Sequence, residues 1–481
     1  MSAINETLIR DVVNEVLSRL QGNGSAHAGS VRPAAPVPSG GVDGVFQNVG
    51  DAVAAAKAAF QQLAGAKIET RAKAIQCIRD IVIGQAEEMA RFELEETKIG
   101  RLDHKIAKLV GVGRSIPGVE MLATEAFSGD YGITLVEHAP YGVLGVITPV
   151  THSIPTLACN AIMMIAAGNT LVVNPHPSGA RSAVLATQRF NRMIREETGL
   201  DNLVCIIEQP TIESANEIFQ HPDVKVLCVT GGPGVVAAAM ASNKKAIVAG
   251  PGNPPVVVDE TADIEKAAPG IIYGCAFDNN VLCIGEKEVF VVASVADKLL
   301  EAFGRHGGYR LNAHQIDALT KACLHKDEKS GHWLPDKDFV GRDPQVLARA
   351  INVSIPAGTQ ILYGEVDANN PWLPCEQMMP LLPVVRCRCV DEAIAMAVKF
   401  EHGFGHTAMI WSRNVENMTK MGKAVNTTIF IKNGHCMTGL GAGGEGYGSY
   451  SIASPTGEGI TSPLTYTRHR RCVMVESLRI V

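Results

Sequence analysis

Cys283 is the residue whose type and setting point most directly to chemistry. It lies in FDNNVLCIGEKEVF, residues 277–290, where two asparagines and a short apolar step precede it and a glycine follows. A cysteine thiolate is a strong nucleophile toward electrophilic carbon. The alternative is an inert core thiol, which is expected within a regular element rather than in such a stretch. The setting of Cys283 therefore favours a nucleophile.

A glycine-rich turn supplies a second chemical signal. The run KVLCVTGGPGVVAAAM, residues 225–240, has the pattern of a strand, a turn and a helix. Gly231, Gly232 and Gly234 allow a ligand to approach the backbone closely, and the helix N-terminus offers free N–H groups to a pyrophosphate. The spacing departs from GxGxxG, so a tight structural turn remains the alternative to nucleotide binding.

Two further strand ends have the same character. In VLGVITPVTHSIPT a strand ends near Thr148 and Pro149, and in TLVVNPHPSGA a strand ends in a proline-rich turn before a helix. Ligands of open parallel sheets bind beyond the carboxyl ends of the strands. Three strand ends of this kind in one sheet indicate a nucleotide-binding crevice.

The elements that carry these residues predict an α/β fold. The segments VLGVI, TLVVN, LVCII, KVLCV and AIVA are short apolar strands separated by helical stretches, and DAVAAAKAAFQQL, residues 71–97 and residues 104–122 have helical patterns. Near-continuous apolar strands that alternate with helices indicate a doubly wound parallel sheet. A second series of strands begins at PPVVV and continues through EVFVV, which predicts a second α/β domain.

The N-terminal region has two zones of its own. Residues 4–20 form an amphipathic helical pattern, and residues 21–44 are a Gly, Ser, Ala and Pro tract that predicts a flexible linker. The helix is not rich in Lys and Arg and has no Trp or Phe, so it does not favour a membrane surface. Packing against its own core is the alternative, but the linker favours docking into a groove of a partner protein.

Composition excludes several classes of protein. The 481 residues are 46% hydrophobic and 19% charged with a net charge of −6, which suits a globular protein of two or three domains and gives no reason to expect nucleic acid. The sequence has neither a signal peptide nor an apolar run long enough for a membrane span, so we expect a cytosolic protein. Most of the 12 cysteines lie in apolar segments, and we expect a core to explain all of them except Cys283. The pair Cys387 and Cys389 lacks zinc-type spacing, so no metal is expected.

Several motifs together resemble one family. GVITPVT, AAGNTLVVNPHPSGA, VTGGPGVV, FDNNVLCIGEKEV, EQMMPLLPVVR, HGFGHTAMI and TGEGITSP occur in the order found in CoA-acylating aldehyde dehydrogenases, above all those of bacterial microcompartments. The resemblance covers residues 45–481 and implies an aldehyde dehydrogenase-like fold with a Rossmann-type cofactor domain. The helix and linker also resemble the encapsulation peptides of such enzymes.

The resemblance also implies a division of the chain. Residues 45–250 are then the NAD- and CoA-binding domain, with an oligomerisation hairpin near residues 125–139. Residues 251–440 form the catalytic domain, and residues 441–481 return to the cofactor domain and end in an oligomerisation strand. The basic run TRHRRC, residues 467–472, is favoured as part of that strand over a contact with CoA phosphates.

In this family the nucleophile corresponds to Cys283. Attack on an aldehyde gives a thiohemiacetal, and transfer of its hydride to a nicotinamide leaves a thioester. Hydrolytic relatives activate water with a glutamate, whereas residues 247–252, IVAGPG, contain no carboxylate. The implied acceptor of the acyl group is therefore the thiol of CoA.

Other catalytic residues follow from the same resemblance. His152 stands where the family usually has an asparagine that donates to the oxyanion, with Thr151 or Asn280 as alternative donors. His406 matches a histidine that takes the proton of the CoA thiol, although a histidine held at a strand end is the structural alternative.

The implied cofactor site combines several strand ends. Glu376 matches the glutamate that holds the nicotinamide ribose, and His176 and Pro177 are expected beside the adenosine half. No lysine occurs in that last loop, so we expect NAD rather than NADP. The expected cofactor-binding residues are Thr148, Pro149, His176, Pro177, Gly231, Gly232, Gly234, Gly250 and Glu376.

The predicted function is oxidation of a short aldehyde, propionaldehyde or similar, to acyl-CoA with NAD and CoA. A hydrolytic aldehyde dehydrogenase that releases the free acid is one alternative, and a non-catalytic compartment scaffold is another. The resemblance implies a homodimer or tetramer inside a bacterial microcompartment, docked to a shell or core protein through residues 4–20. The sequence does not select the chain length of the aldehyde, because one methylene is worth only about 1–3 kcal/mol in a pocket.

Overall fold

A computed structural model describes residues 41–328 and 331–480. The predicted helix at residues 4–20 and most of the predicted linker lie outside this part of the chain. The described helices are α1 Val49–Gly65, α2 Ile68–Gly84, α3 Ala86–Thr97, α4 Leu102–Ser115, α5 Ser153–Ala166, α6 Ala180–Thr198, α7 Ile212–Gln220, α8 Pro233–Met240, α9 Ile264–Ala276, α10 Ala293–Arg305, α11 Ala313–Cys323, α12 Pro344–Ala350, α13 Val390–Phe400 and α14 Val415–Val425.

The strands alternate with these helices along most of the chain. They are β1 Val45–Phe46, β2 Glu125–Gly129, β3 Gly132–Pro140, β4 Val143–Thr148, β5 Thr170–Pro175, β6 Val204–Ile207, β7 Val224–Thr230, β8 Lys245–Ala249, β9 Pro255–Val258, β10 Glu288–Val292, β11 Gly308–Arg310, β12 Leu324–Lys326, β13 Trp333–Pro335, β14 Ile361–Glu365, β15 Leu381–Cys387, β16 Thr407–Trp411, β17 Ile429–Lys432, β18 Ile452–Ala453, β19 Gly459–Ile460 and β20 Thr467–Val475.

Two parallel sheets form the body of the fold. The first has the strand order β1-β6-β5-β4-β7-β8, and the second has the order β11-β14-β15-β10-β9-β16-β17. Every residue of β4, β5, β9 and β10 is buried, because helices and loops cover both faces of each sheet. The predicted doubly wound α/β fold is confirmed by this arrangement.

The two sheets are joined by a short connection. Strand β8 ends at Ala249 and β9 begins at Pro255, so residues 250–254 lead from the carboxyl edge of the first sheet to the amino edge of the second. The chain therefore passes directly from one sheet to the other at this point, next to the predicted domain boundary.

A third, antiparallel sheet consists of β2, β3 and β20. The hairpin of β2 and β3 lies where a hairpin was expected, and the basic run at residues 467–472 lies in β20. Its surface is exposed, and it carries apolar side chains such as Phe127 and Val473. The oligomerisation role of this sheet remains a prediction.

Some element boundaries differ from the expected ones. The helical span at residues 71–97 is two helices. Helix α2 ends at Gly84, and α3 begins at Ala86. The helical span at residues 104–122 ends at Ser115, because Pro117 forces Ile116 into an extended conformation.

The predicted linker extends less far than residue 44. Asp43 is only 8% exposed, and its carboxylate accepts hydrogen bonds from Arg192 and Arg195 of α6. Residues 43 and 44 therefore belong to the folded body. Among the described helices, none combines the length and apolar character that crossing a membrane requires.

Candidate active site

The functional side chains meet at the amino ends of four neighbouring strands. Glu376, Cys283, Gly252 and His406 lie a few residues before β15, β10, β9 and β16 respectively, and these strands are adjacent in that order. Parallel strands present their amino ends at one edge of a sheet. The strand order therefore gathers residues that are far apart in sequence.

The segment before Cys283 has an unusual backbone. Asp278, Asn279 and Asn280 have φ angles of 50°, 55° and 65°, in the left-handed region that Asp and Asn tolerate better than most residues. Asn279 donates from Nδ2 to the carbonyl of Gly341 and to the carboxylate of Asp343. The three residues are thus held in a costly conformation by contacts with separate parts of the fold.

Asn280 has different contacts from those of an oxyanion donor. Its Nδ2 donates to the carbonyl oxygens of Cys275 at 3.0 Å and Glu286 at 2.9 Å, while its Oδ1 accepts from Lys287. Both amide hydrogens are therefore committed to the backbone. This geometry speaks against the expected catalytic role of Asn280, which instead fixes the turn that leads to the nucleophile.

Cys283 differs from most other cysteines in being partly exposed. The surrounding protein nevertheless desolvates the thiol. This desolvation, together with the nearby charge of Glu376, raises the pKa of the thiol to about 12. The thiol is therefore protonated in the ligand-free protein at neutral pH, and nucleophilic attack requires loss of this proton.

This protonation state has a measurable consequence. In the ligand-free protein at neutral pH, we expect iodoacetamide to alkylate Cys283 at least about 10-fold more slowly than the exposed Cys389, because the thiolate is the reactive form. Peptide mass spectrometry after timed quenching measures both rates in one sample. Faster labelling of Cys283 than of Cys389 would contradict the raised pKa.

The expectation that a core explains the other eleven cysteines is wrong for two of them. Cys389 and Cys472 are exposed, whereas the rest are buried. Cys389 lies just before α13, and Cys472 lies on the open face of β20. Within residues 41–328 and 331–480, no group of three His, Cys, Asp or Glu side chains is arranged to hold a metal ion.

Gly252 brings the nucleophile and His406 together. A Cβ atom at position 252 would lie 2.3 Å from the carbonyl oxygen of Cys283 and 3.1 Å from Cγ of His406. Such distances exclude any side chain at this position, so the glycine allows close packing of three chain segments. Cys283 and His406 consequently border the same small space.

His406 is buried, neutral and available at one ring nitrogen. Its backbone N–H donates to Oε1 of Glu401 at 2.8 Å, and Nδ1 lies 2.9 Å from Oγ1 of Thr407. Nε2 is buried without a hydrogen-bond partner in the described part of the chain. Burial, followed by the charge of Lys287, lowers the pKa of His406 to about 4. Nε2 of His406 is therefore available to accept or donate a hydrogen bond near Cys283.

Glu376 places a carboxylate in this site. Its Oε1 accepts a hydrogen bond of 3.3 Å from the N–H of Gly252, and desolvation raises its pKa to about 7. Residues 247–252 lack a carboxylate of their own, as the sequence shows, but the fold supplies one from before β15. The sequence of residues 247–252 alone therefore does not show every charge near Cys283.

His152 occupies the N-cap position of α5 and is 7% exposed. Its Nδ1 lies 3.0 Å from Nζ of Lys108, a buried lysine of α4 that also pairs with Asp278. Burial, followed by the charge of Lys108, holds the pKa of His152 well below its usual range. Sequence analysis missed Lys108, although a lysine on the buried face of an amphipathic helix was a visible signal.

Apart from Glu376, the expected cofactor residues lie along the carboxyl edge of the first sheet. Thr148 ends β4 and Pro149 follows it, His176 and Pro177 follow β5, and the glycine turn follows β7. These strands are neighbours in the order β5-β4-β7, and β8, which precedes Gly250, is next. His176 and Pro177 are exposed, and Nδ1 of His176 accepts from the N–H of Ser178.

The glycine turn is open to a ligand. No heavy atom lies within 4 Å of a Cβ built on Gly232 or Gly234, whereas one on Gly231 would meet Val235. Gly232 caps the N-terminus of α8, where backbone N–H groups are free to bind an anion. The arrangement fits the pyrophosphate of a dinucleotide.

The fold and site together define a cysteine-dependent dehydrogenase, and comparison with known proteins agrees. Residues 37–307 match the aldehyde dehydrogenase family. The acetaldehyde dehydrogenase (acetylating) EutE of Salmonella typhimurium is 43% identical over 479 residues, covering 99% of this chain and 100% of that protein. The propanal dehydrogenase (CoA-propanoylating) of Citrobacter freundii is 38% identical, covering 99% of this chain and 98% of that protein.

Solved structures show the same relationship. The propionaldehyde dehydrogenase of Rhodopseudomonas palustris, solved with bound CoA and an acylated cysteine, superposes with a TM-score of 0.88 at 44% identity, covering 91% of this chain and 100% of that chain. The propionaldehyde dehydrogenase of a fucose-utilisation microcompartment of Clostridium phytofermentans gives a TM-score of 0.88 at 41% identity, with the same coverage. The chain belongs to the aldehyde dehydrogenase family, within its CoA-acylating branch, so the predicted resemblance and fold are confirmed.

Proposed function

We propose that this enzyme oxidises a short-chain aldehyde, with NAD and CoA as co-substrates, to the acyl-CoA and NADH. The observation that carries the proposal is the packing of Cys283 and His406 around Gly252, which leaves Nε2 of His406 buried and without a partner. Relatives that cover the whole chain are acetylating or propanoylating enzymes, which supports a substrate of two or three carbons.

Cys283 is the nucleophile in this mechanism. Its sulfur adds to the aldehyde carbon and forms a thiohemiacetal that retains a transferable hydrogen. The proton of the thiol passes to the carbonyl oxygen in that addition. Bound NAD would supply the hydride acceptor, and loss of the hydride and of the hydroxyl proton would leave a thioester on Cys283. The thiol of CoA then attacks the thioester, and collapse of the tetrahedral adduct releases acyl-CoA and the free cysteine.

His406 acts in the second half of the reaction. Its neutral imidazole takes the proton of the CoA thiol, because a pKa of about 4 leaves the ring unprotonated at neutral pH. The hydrogen bond from its backbone to Glu401 holds the loop that carries the ring.

His152 supplies the side-chain donor to the oxyanion, with Thr151 as the alternative. The oxygen of the thiohemiacetal and of the later tetrahedral adduct carries developing negative charge, and one lost donor in such a site typically costs about 10²–10³-fold in rate. Helix α5 begins directly after His152, so its N-terminal dipole also favours negative charge here.

The cofactor lies along the carboxyl edge of the first sheet. The turn at residues 231–234 and the start of α8 hold the pyrophosphate, and Glu376 binds the hydroxyls of the nicotinamide ribose. A carboxylate engaged in this way is withdrawn from activating water, which favours transfer to CoA over hydrolysis. His176 and Pro177 border the adenosine half and offer no cation to a 2′-phosphate, so NAD is the preferred dinucleotide.

Assembly and location are also part of the proposal. The exposed sheet of β2, β3 and β20 forms the contact of a homodimer or tetramer. Residues 4–20 dock the enzyme to a shell or core protein of a bacterial microcompartment, the setting in which the Clostridium phytofermentans enzyme is found.

Product stoichiometry tests the proposed function. With acetaldehyde or propionaldehyde and NAD, we expect one acyl-CoA for each NADH, and turnover at least about 100-fold slower when CoA is omitted, because Glu376 is engaged by the nicotinamide ribose and residues 247–252 offer no other carboxylate to activate water. Acyl-CoA is measured by liquid chromatography and NADH by absorbance. Equal turnover without CoA, with release of free acid, would instead establish the hydrolytic alternative, and the absence of any turnover would favour a scaffold.

A further inference from the structure

Lys108 is a buried cation that lies between two loops of the active site. It belongs to α4, is 1% exposed, and its Nζ contacts three acceptors: the carboxylate of Asp278, Nδ1 of His152 at 3.0 Å and the carbonyl oxygen of Thr151 at 3.5 Å. Asp278 begins the turn that leads to Cys283, and His152 ends the loop after β4. The side chain of Lys108 therefore connects the segment that leads to Cys283 with the segment that ends in His152, the expected oxyanion donor.

The charge state of Lys108 follows from its partner. Asp278 is completely buried and also accepts a 2.8 Å hydrogen bond from the N–H of Arg101. Burial alone would raise the pKa of this carboxyl, but the charges of Lys108 and Lys105 outweigh it and hold the pKa below its usual range. Lys105 has its own buried partner in Glu93, at 3.2 Å. Burial lowers the pKa of Lys108, but the charge of Asp278, in direct contact with it, opposes that effect, and an ammonium paired with a carboxylate accounts for the lowered pKa of Asp278.

An ammonium group determines the tautomer of the neighbouring imidazole. It carries three hydrogens and no lone pair, so each of its three contacts must be an acceptor. Nδ1 of His152 is therefore unprotonated, and the single ring hydrogen resides on Nε2. The ring of Tyr450 packs edge-on against the imidazole, with 5.8 Å between the ring centroids.

We propose that Lys108 is a positioning residue that holds His152 in the tautomer protonated on Nε2, so that the single ring hydrogen is kept for the oxyanion that the proposed function assigns to His152. The inference rests on the proposed function, in which His152 stabilises the oxyanion. Asp278 anchors Lys108, and the same ion pair ties this donor to the turn before Cys283. Lys108 acts through His152 and does not itself touch the substrate.

A double-mutant cycle tests this role. We expect Lys108→Met to lower kcat of acyl-CoA formation by about 10²-fold, as loss of one oxyanion donor does. His152→Ala should give a similar loss. In the His152→Ala background, Lys108→Met should change kcat by less than about 3-fold, because no imidazole remains to be positioned.

The cycle separates positioning from simple support of the fold. A structural role of the ion pair would lower kcat by the same factor in both backgrounds, and that result overturns the proposal. Unchanged kcat in His152→Ala also overturns it, even though acyl-CoA formation by the wild type would leave the proposed function intact. Lys108→Met leaves the buried carboxylate of Asp278 without its counter-charge. If that variant does not fold, the double variant Lys108→Met with Asp278→Asn takes its place in both the wild-type and the His152→Ala backgrounds.

Discussion

Replacing Cys283 with alanine is expected to abolish NADH formation, with or without CoA. Without the sulfur atom, the aldehyde has no covalent attachment from which hydride can leave, and loss of a catalytic nucleophile typically lowers kcat by about 10⁴–10⁶-fold. NADH absorbance at saturating aldehyde measures this loss. Intact-protein mass spectrometry provides a second readout: after incubation with aldehyde and NAD but no CoA, the wild type should gain one acyl group and the variant none.

The exposed Cys389 offers a matched control for this experiment. Cys389→Ala removes a thiol from the surface and should retain wild-type turnover and the acyl adduct, because residue 389 lies before α13, away from the amino ends of β10 and β16. An acyl group found on a different cysteine, or activity retained in Cys283→Ala, would show that the nucleophile has been assigned wrongly.

Replacing His406 with alanine is expected to separate the two halves of the reaction. The first turnover should still produce a burst of NADH, because thiohemiacetal formation and hydride transfer do not use this ring. Steady-state turnover with CoA should fall by about 10²–10⁴-fold, the usual contribution of a general base. Rapid mixing measures the burst, and quenching followed by mass spectrometry should show the acyl-enzyme accumulating.

His402 provides the control on the same loop. It is exposed, and its Nε2 lies 3.2 Å from the carbonyl oxygen of Pro374 rather than at the nucleophile. His402→Ala should therefore leave both the burst and the steady-state rate near their wild-type values. If His406→Ala lowers burst and steady state by the same factor, then the ring is not specific to the CoA step.

The pH dependence of the CoA step is part of the same expectation. Burial and the charge of Lys287 lower the pKa of His406 to about 4, and only the neutral ring accepts a proton. The factor by which His406 accelerates acyl transfer, taken from wild type and His406→Ala at each pH, should therefore persist on the acidic side of the ordinary histidine pKa near 6.5 and decline only as pH approaches 4. An acid limb in wild type near pH 6.5 that disappears in His406→Ala would contradict the buried, neutral ring.

Local sequence patterns were sufficient for most elements of the fold. Strands such as β4, β5 and β7 are short and almost wholly apolar, which by itself indicates a parallel sheet covered on both faces. Boundaries were less predictable because they depend on single residues and distant contacts. The end of the flexible region, for example, is determined by Asp43, whose partners Arg192 and Arg195 lie far along the chain.

Which residues come together in the active site was still harder to predict from local sequence. Sequence analysis looked for ligands at the carboxyl ends of strands, and most of the expected cofactor residues do lie there in the first sheet. Cys283, His406 and Glu376 instead precede strands of the second sheet, and only the order β15-β10-β9-β16 brings them to one place. No spacing in the sequence encodes that order.

Side-chain contacts altered individual roles in the same way. The sequence offered Asn280 as an oxyanion donor, but its amide hydrogens are donated to backbone carbonyls. Lys108 attracted no attention in the sequence, yet its Nζ lies 3.0 Å from Nδ1 of His152 in the folded protein. Hydrogen-bond geometry determines such roles, and it exists only once distant segments have packed together.

By itself, the sequence determined the kinds of element, the family and the reactive sulfur, because strand-forming runs, turns and the chemistry of a thiol are properties of short stretches. The tertiary structure placed the carboxylate of Glu376 at Gly252, left Nε2 of His406 without a partner among the described residues and committed the amide of Asn280 to the backbone. These depend on distances of a few ångströms between residues that are remote in the chain, and burial then sets their protonation.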